Sequence, residues 1–360
     1  MLHVAAVALG ACTVIAQGLE AGIELEGAML VDWPMVATHN AGTGYLTEEN
    51  AFVLPGNDVI ETGLNLLSNA EQILVDVAKN QRGNFGEQLD CGARALVIRP
   101  RSLDGRLIMH HNAVGVNVTL DLALKDVLAW CSLNPGELVL LGMFYCFGPD
   151  CESMMESSLA DAGITYMNNC SQLVNMTVTE ARALSELTGG GSALAVAQEC
   201  IDENYDPEIS CRLSDGSNCN DSGDFEPFKA IQEYLIGLTS ANATSDDPNQ
   251  LQFQNAHWQY DAEDLVTMAL NSISILEDSD ESGINSYVAE LIDAGLLPNI
   301  KLLQVDNICS SDGEQLVYSM QSQSASQGMR SPVPNPPSPA STSSKLSILT
   351  ILALLLASGL

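Results

Sequence analysis

The chain contains few basic and few aromatic residues. Of its 360 residues, 13 are Lys or Arg and 46 are Asp or Glu, which gives a formal net charge of −33 at pH 7. Nucleic acids are held through phosphates by Lys and Arg, so this balance argues against a nucleic-acid partner. It also argues against adhesion of the whole surface to anionic lipid. Aromatic residues make up 5% of the chain, and no stacking platform or belt of membrane-inserting Trp is evident.

The ten cysteines lack the paired C-x-x-C spacing of zinc sites, so a zinc site is not expected. Cys12 falls in an amino-terminal segment that we expect to be removed, which leaves nine cysteines. In an oxidising compartment most of these should pair, with one left free or joined to another molecule. The pairing itself stays open at this point.

Both ends of the chain carry apolar segments that predict export. Residues 2–16 form an apolar run followed by small residues, which is typical of a secretory signal peptide over 1–18. The alternative is a buried first strand or helix. At the other end, a Ser/Pro-rich linker over 319–345 precedes a hydrophobic tail over 346–360, which is short for a membrane-spanning helix.

A small-residue region, a polar spacer and a terminal apolar tail match the signal for a glycosylphosphatidylinositol (GPI) anchor. The attachment site stays open, and the alternatives are a tail-anchored helix or an apolar terminal helix of the fold. Sequons of the N-x-S/T type also favour the secretory route, and they begin at Asn117, Asn169, Asn175, Asn220 and Asn242. We therefore expect a secreted or cell-surface protein that reaches the membrane through a lipid anchor.

Between residues 25 and 318 the chain shows no linker and no internal repeat, and 46% of the whole chain is hydrophobic, enough for a sizeable core. The strand candidates are Trp33–Thr38, Ala95–Arg99, Arg106–His110, Leu138–Tyr145, Ala193–Ala197, Leu251–Trp258 and Ile300–Val305. The helix candidates are Gly63–Val77, Thr119–Trp130, Glu152–Ala162, Glu226–Leu238, Glu263–Leu276 and Ile284–Gly295. This alternation predicts a parallel sheet in an α/β fold, a single (β/α)8 barrel of the TIM type that could be distorted or incompletely closed.

Histidines stand at the ends of two strand candidates: His39 follows the first, and His110 and His111 end another. The carboxyl ends of parallel barrel strands meet at one face, where imidazoles can act as acid and base because they titrate near neutrality. Alternation along a strand puts only one of the adjacent pair in the barrel mouth. A structural histidine is the alternative at each site, and His257 is interpreted as a packed or surface histidine beside Trp258.

Three short motifs lie around these histidines: Thr38-His39-Asn40, Gln88-Leu89 with Gly92 and Arg94, and His110-His111-Asn112. Together they resemble the X domain of phosphatidylinositol-specific phospholipases C. In that family one strand ends in S/T-H-N or S/T-H-D, a Q-L-x-x-G-x-R motif leads into the next, and a third ends in H-G or H-H-G. The resemblance is convincing over 33–145. Further along, NPGELVLL over 134–141 resembles the family's fourth strand, and QVDN over 304–307 its last.

Members of this family are of two chemical types. One holds calcium with acidic residues on the second strand, and the other is metal-independent with an arginine there. The second strand here reads Leu96-Val97-Ile98-Arg99. The resemblance therefore implies the metal-independent type, with no cofactor, because a fixed guanidinium can neutralise charge on a phosphorane much as a cation would.

The resemblance also implies roles for individual residues. His39 would be the general base, His111 the general acid, and Arg99 would stabilise the phosphate. Asp306 would orient His39 and hold its charged form, as a carboxylate does for a catalytic imidazole. The remaining site residues would contact the substrate or brace the site: Asn40, Arg101 and His110. His110 could exchange roles with His111.

The implied reaction is attack of a substrate's own hydroxyl on a phosphodiester, through a cyclic phosphate, with release of a lipid alcohol. We therefore predict a phosphoric diester hydrolase that acts on a phosphodiester or phospholipid. One alternative is a catalytically inactive barrel that serves as a surface binding protein. Another is a glycerophosphodiesterase-like enzyme, although the H-R-G start and acidic metal set of that class do not match ATHN and LVIR here.

Two residues depart from the resemblance and favour the inactive alternative. Val97 replaces an acidic residue that helps to arrange the general acid in bacterial relatives, a task that Asp104 or Glu137 could take over. Asn112 replaces the glycine that follows the second histidine. The first and second strands are also far apart in the chain, which indicates an inserted loop over the site.

Overall fold

Eight parallel strands form the centre of the molecule. The structure, a computed structural model of the chain, describes residues 27–57, 69–202, 227–240, 250–260 and 262–327. Its strands are β1 (Met35–Thr38), β2 (Ala51–Val53), β3 (Ala95–Ile98), β4 (Pro100–Leu103), β5 (Arg106–His111), β6 (Val114–Thr119), β7 (Leu138–Met143), β8 (Thr165–Met167), β9 (Ser192–Ala197), β10 (Ile201–Asp202), β11 (Leu251–Asn255) and β12 (Leu302–Val305). The main sheet has the order β10-β11-β12-β1-β3-β7-β9-β8, and its neighbouring strands run parallel.

The barrel strands are apolar on both faces, as strands covered on both sides require. Alternate side chains therefore enter two separate cores. Met35 and Ala37 of β1 lie in a core inside the barrel, whereas Val36 packs outward. The side chains of β3 alternate in the same way, and those of Ala95 and Val97 lie in the inner core. This alternation decides which residues at the ends of the strands reach the barrel mouth.

Helices connect the strands and cover the outer core. They are α1 (Ala70–Asp76), α2 (Phe85–Asp90), α3 (Leu120–Leu133), α4 (Cys151–Asp161), α5 (Cys170–Val174), α6 (Val178–Leu184), α7 (Pro227–Thr239), α8 (Ala262–Asn271), α9 (Ile275–Ser282), α10 (Ile284–Asp293) and α11 (Ser311–Gln327). Helices α2, α6 and α9 each begin with a capping box, in which the N-cap side chain and a glutamate three residues later bond to each other's backbone amides.

A small antiparallel sheet with the order β2-β6-β5-β4 stands beside the barrel. It contains β5, so the prediction that Arg106–His110 is a strand of the parallel sheet is wrong. The reason is the turn before it. Asp104 and Gly105 both adopt the left-handed conformation, with φ of 50° and 72°, and this two-residue turn joins β4 and β5 as a hairpin. A parallel neighbour would need a much longer crossover.

The predicted α/β barrel is confirmed, and its closure is incomplete. Strands β10 and β8 are the two edges, and no backbone hydrogen bonds join them within the described ranges. The helix candidate Glu263–Leu276 is two helices, α8 and α9, because the chain turns at Ser272, where φ is 55°. Part of the candidate Gly63–Val77 lies outside the described residues, and α1 accounts for the rest.

The terminal segments fall mostly outside the described residues, among them the predicted signal peptide over 1–18 and the tail over 346–360. Helix α11 continues to Gln327, so residues 319–327 of the predicted linker are helical. The rest of the predicted linker lies outside the described residues. Within the part of the chain that the structure describes, no helix has the length and apolar character needed to cross a bilayer.

Three disulfides join parts of the barrel: Cys91–Cys309, Cys146–Cys151 and Cys170–Cys200. Cys131 is a free, buried thiol, and Cys211 and Cys219 lie outside the described residues. The first disulfide connects α2 to the segment after β12, across 218 residues of sequence. It therefore ties the helix that precedes β3 to the segment that follows β12, the two strands on either side of β1 in the sheet.

We expect the Cys91–Cys309 disulfide to contribute most to stability. A crosslink that closes a long loop removes more conformational entropy from the unfolded chain, about 5 kcal/mol here on the chain-entropy description, against about 2 kcal/mol for the short Cys146–Cys151 loop. Urea unfolding of the double Ser variant of each pair, in comparison with the native chain, measures this difference. Equal losses for the two variants would contradict it.

Candidate active site

Just beyond the ends of four barrel strands, at the barrel mouth, the next inward-facing positions are occupied by polar residues. His39 extends the series of Met35 and Ala37 in β1, and Arg99 follows Ala95 and Val97 in β3. By the same two-residue alternation, His257 follows the inward-facing residues of β11, and Asp306 follows those of β12. Both His39 and Asp306 are almost completely buried. The inner core therefore ends in a cluster of ionisable groups.

A closed ring of hydrogen bonds holds His39. Its Nδ1 donates to Asp306 Oδ1 at 2.9 Å, and its Nε2 accepts from Asn40 Nδ2 at 3.0 Å. The same amide nitrogen donates to Asn80 Oδ1 at 3.1 Å. Asn80 Nδ2 then donates to Asp306 Oδ2 at 3.1 Å, which completes the ring. Since a carboxylate only accepts, the ring assigns the Nδ1–H tautomer to His39 and leaves a lone pair on Nε2.

The segment between β1 and β3 supplies further contacts to this cluster. Gln81 Nε2 donates to the carbonyls of His39 and Val305, at 3.0 and 2.8 Å, and so links the ends of β1 and β12. The backbone amide of Asn80 donates to Thr43 Oγ1 at 2.9 Å. The residues between α1 and α2 therefore form one wall of the site, and the prediction that an inserted loop covers the site stays a prediction.

Of the two adjacent histidines, His111 lies nearer to His39. Their ring centroids are 6.3 Å apart and their planes are nearly perpendicular. His111 Nδ1 donates to the carbonyl of Ala78 at 2.9 Å, so its Nε2 is the nitrogen that can meet a substrate. His110 instead contacts the carbonyls of Asn112 and Tyr145, each at 3.3 Å.

Arg99 is the cation at the centre of the site. Its guanidinium lies over the ring of Tyr145, with Cζ 4.9 Å from the ring centroid. Tyr145 has φ of 47°, an uncommon conformation for a bulky residue. Arg101 is half-buried on β4 and influences His110 alone among the four described histidines.

Burial keeps the site histidines neutral. Burial, and then the nearby charge of Arg99, holds the pKa of His39 well below its usual value and lowers the pKa of His111 to about 3. Burial also lowers the pKa of His110 to about 4. It raises the pKa of Asp306 to about 6, against the opposing effect of His257. Each shift favours the uncharged form, because a charge in this dry cluster loses its hydration.

The structure accounts for both departures from the sequence motif. Asn112 has φ of 48°, the conformation that a glycine adopts most easily and that asparagine tolerates best among other residues. Val97 is fully buried in the inner core. The expected replacement carboxylates do not serve His111, since Glu137 pairs with Arg94 at 2.9 Å and Asp104 lies in the exposed hairpin turn. The carbonyl of Ala78 orients His111 instead.

The Q-L-x-x-G-x-R motif has a structural role. Gln88 donates to the carbonyls of Ala41 and Gly83. Gly92 has φ of 104°, and a Cβ atom there would stand 2.5 Å from Val317. Arg94 lies over the ring of Trp130. These contacts position β3, and with it Arg99, against the helices.

His257 is a packed histidine, as one of the two interpretations expected, and the residue that it packs against is His39. The His257 ring stacks on that of His39, with centroids 3.9 Å apart and planes 9° apart. The signal that could have placed it in the site was alternation, since Leu251, Phe253 and His257 occupy one face of a single extended segment. Asn80 and Gln81 were missed, and no pattern in the sequence points to them.

His39, His257 and Asp306 lie close enough together to be considered as metal ligands. The directions of their lone pairs do not favour such a site. Imidazole lone pairs lie in the ring plane, so two stacked rings direct theirs side by side and not toward a common point. His39 Nδ1 and Asp306 also already bond to each other. The cluster is better suited to proton transfer than to metal binding.

No family model matches the chain, and no curated protein matches it significantly. Solved structures of a phosphatidylinositol-specific phospholipase C from Staphylococcus aureus are similar in fold. A form that contains pentafluoro-Phe aligns with a TM-score of 0.53 and 15% identity, over 81% of this chain and 94% of that one. A form used to study membrane binding aligns with a TM-score of 0.52 and 16% identity, over 82% and 94%. At such identities the similarity shows the shared barrel fold.

Arg99 should depress the pKa values of His39 and His111 together. We expect Arg99→Met to raise both, because removal of a nearby positive charge stabilises each imidazolium. Arg101→Met is the matched control, and it should change the pKa of His110 alone. NMR titration of the histidine Cε1–H resonances measures all of these values. Equal effects of the two variants on His39 would contradict the central position of Arg99.

Proposed function

We propose that this protein is a phosphoric diester hydrolase of the phospholipase C type, acting on a phosphodiester or phospholipid substrate without a metal ion. The observation that carries this proposal is the pair of imidazoles at the barrel mouth, His39 on Asp306 and His111 beside it. Each holds its Nδ1 in a hydrogen bond and keeps Nε2 for the substrate. The barrel fold shared with the bacterial phospholipase supports the same assignment.

In the first step, His39 Nε2 takes the proton of a substrate hydroxyl whose oxygen attacks the phosphorus. Asn40 bonds to that nitrogen in the free protein and must yield to the hydroxyl. The bond from phosphorus to the leaving oxygen breaks as His111 Nε2 gives that oxygen a proton. The product is a cyclic phosphate and a free alcohol. Water can open the cyclic phosphate by the same steps with the two roles reversed.

The resting protonation states suit the base better than the acid. The low pKa of His39 leaves it unprotonated and ready to accept a proton. His111, with a pKa of about 3, carries no proton on Nε2 at neutral pH. A bound phosphodiester would bring a negative charge beside it and raise its pKa, because an opposite charge favours the imidazolium. Substrate binding would therefore prepare the general acid.

Arg99 takes the part of a metal cation in this mechanism. Its charge acts on all four described histidines and on Asp306, so it lies close to the whole cluster. A fixed guanidinium stabilises charge that develops on the phosphoryl oxygens. Arg101 and His110, on the adjoining hairpin, would bind outlying parts of the substrate.

Turnover of an inositol phosphodiester with a chromogenic leaving group tests the proposal. We expect activity that survives a chelator and that falls by about 10²–10⁴-fold in His39→Ala and in His111→Ala, since each removes one proton-transfer group. Arg99→Met should also be strongly impaired. Arg106→Met is the matched control, because Arg106 is exposed and bonds to Asn117 outside the site.

Other outcomes would identify the alternatives. Loss of activity on chelation alone would overturn the metal-independent mechanism. A folded protein with no turnover of any phosphodiester would favour an inactive barrel that acts as a surface binding protein. Hydrolysis of a glycerophosphodiester in preference to the inositol compound would favour the glycerophosphodiesterase-like alternative.

We also propose that the protein is exported and anchored by lipid at the cell surface. The three disulfides support an oxidising compartment, and the described sequon asparagines, Asn117, Asn169 and Asn175, are all exposed. In cells that express the full chain, we expect an enzyme that cleaves GPI anchors to release the protein into the medium. A chain truncated before residue 346 should be secreted directly. Retention of the full chain inside untreated cells would contradict the proposal.

A further inference from the structure

His257 is buried against the proposed general base. It is 1% exposed and lies at the inward end of the segment that begins with β11. Its ring is parallel to that of His39 within 9°, at a centroid distance of 3.9 Å, so a second imidazole is stacked on one face of His39. His257 transfers no proton in the proposed mechanism. Its contact with His39 nevertheless lies directly at the reacting group.

The surroundings of His257 keep its ring fixed and neutral. Gln259 Nε2 approaches its Nδ1 at 3.0 Å, and the carbonyl of Trp258 is 3.3 Å from the same nitrogen. Burial, and then the charge that His39 would carry, lower the pKa of His257 to about 3. When His39 is protonated during turnover, His257 therefore remains an uncharged aromatic ring.

His39 is enclosed by a different group on each side. Asp306 on β12 binds its Nδ1, while Arg99 after β3 and His111 on β5 oppose its positive charge. Asn40 contacts its Nε2 edge. One ring face is covered by His257, and this contact excludes water from that face without adding charge or a competing acceptor. The stacked ring also restricts rotation of His39 about its side-chain bonds.

We propose that His257 is a positioning residue for the proposed reaction, whose stacked neutral ring keeps His39 dry and holds it in the plane of its bond to Asp306. The inference rests on the proposed function for its catalytic part alone. The effect of His257 on His39 exists in the free protein and can be measured without a substrate.

Two substitutions distinguish the effect of the aromatic ring of His257 from the effect of its nitrogen atoms. His257→Phe keeps an aromatic ring against His39, and His257→Ala removes it and admits water. By NMR titration without substrate, we expect the pKa of His39 to rise toward its ordinary value in the Ala variant, since burial is the main cause of its depression. In the Phe variant it should stay low. An unchanged pKa in the Ala variant, with the fold intact by circular dichroism, would overturn the proposal.

Turnover of the chromogenic inositol phosphodiester provides the second readout. We expect kcat to fall about tenfold or more in His257→Ala with little change in KM, because misplacing a reacting group affects the chemical step. The Phe variant should retain most of the activity. Equal losses in both variants would overturn the stacking role, as they would show that the nitrogens matter. If the native chain turns over no phosphodiester while the pKa of His39 responds as expected, the positioning effect holds and the proposed reaction fails.

Discussion

The hydrogen bond between His39 and Asp306 unites the first and last strands of the described barrel at the point where its inner core ends. Strands β1 and β12 are neighbours in the sheet, and the inward positions of both lead from apolar residues to these two ionisable ones. Neither group could be buried alone at low cost, because a charge or an unpaired polar group loses its hydration inside a core. Asn40, Asn80 and Gln81 therefore surround the pair with amides that satisfy the imidazole, the carboxylate and the adjoining carbonyls.

Part of the segment between β1 and β3 contacts the site residues directly. Its residues between α1 and α2 supply the carbonyl that orients His111 and the amide that closes the ring around His39. The backbone carbonyl of Ala78 orients His111, at the place where the sequence resemblance implied a carboxylate. A neutral acceptor holds the imidazole in place but does not raise its pKa as a carboxylate would. The proposed general acid thus depends on the charge of the substrate itself.

The net charge of −33 is compatible with a phosphate-binding site because of where the few arginines lie. Arg94, Arg99, Arg101 and Arg106 are close together in the chain, but they have separate tasks. Arg94 is tied to Glu137 and Trp130, and Arg106 bonds to Asn117 on the hairpin surface. Arg101 acts on His110, whereas Arg99 acts on all four described histidines. A highly acidic protein can therefore present one cation to a phosphate group without attracting polyanions over its whole surface.

Most of the fold and about half of the site could be predicted from the sequence. Apolar runs that alternate with helical patterns predict the barrel, and the positions of His39, Arg99 and Asp306 at strand ends place them at one mouth. The Asp104-Gly105 dipeptide also carried the signal for the hairpin, although Arg106–His110 was assigned to the parallel sheet. These features depend on local periodicity and turn chemistry, which the order of residues determines by itself. The stacking of His257 on His39, the ring through Asn80 and the Cys91–Cys309 disulfide were decided by tertiary structure alone. Each joins residues tens to hundreds of positions apart, and such contacts exist only once the strands have packed and brought their ends together.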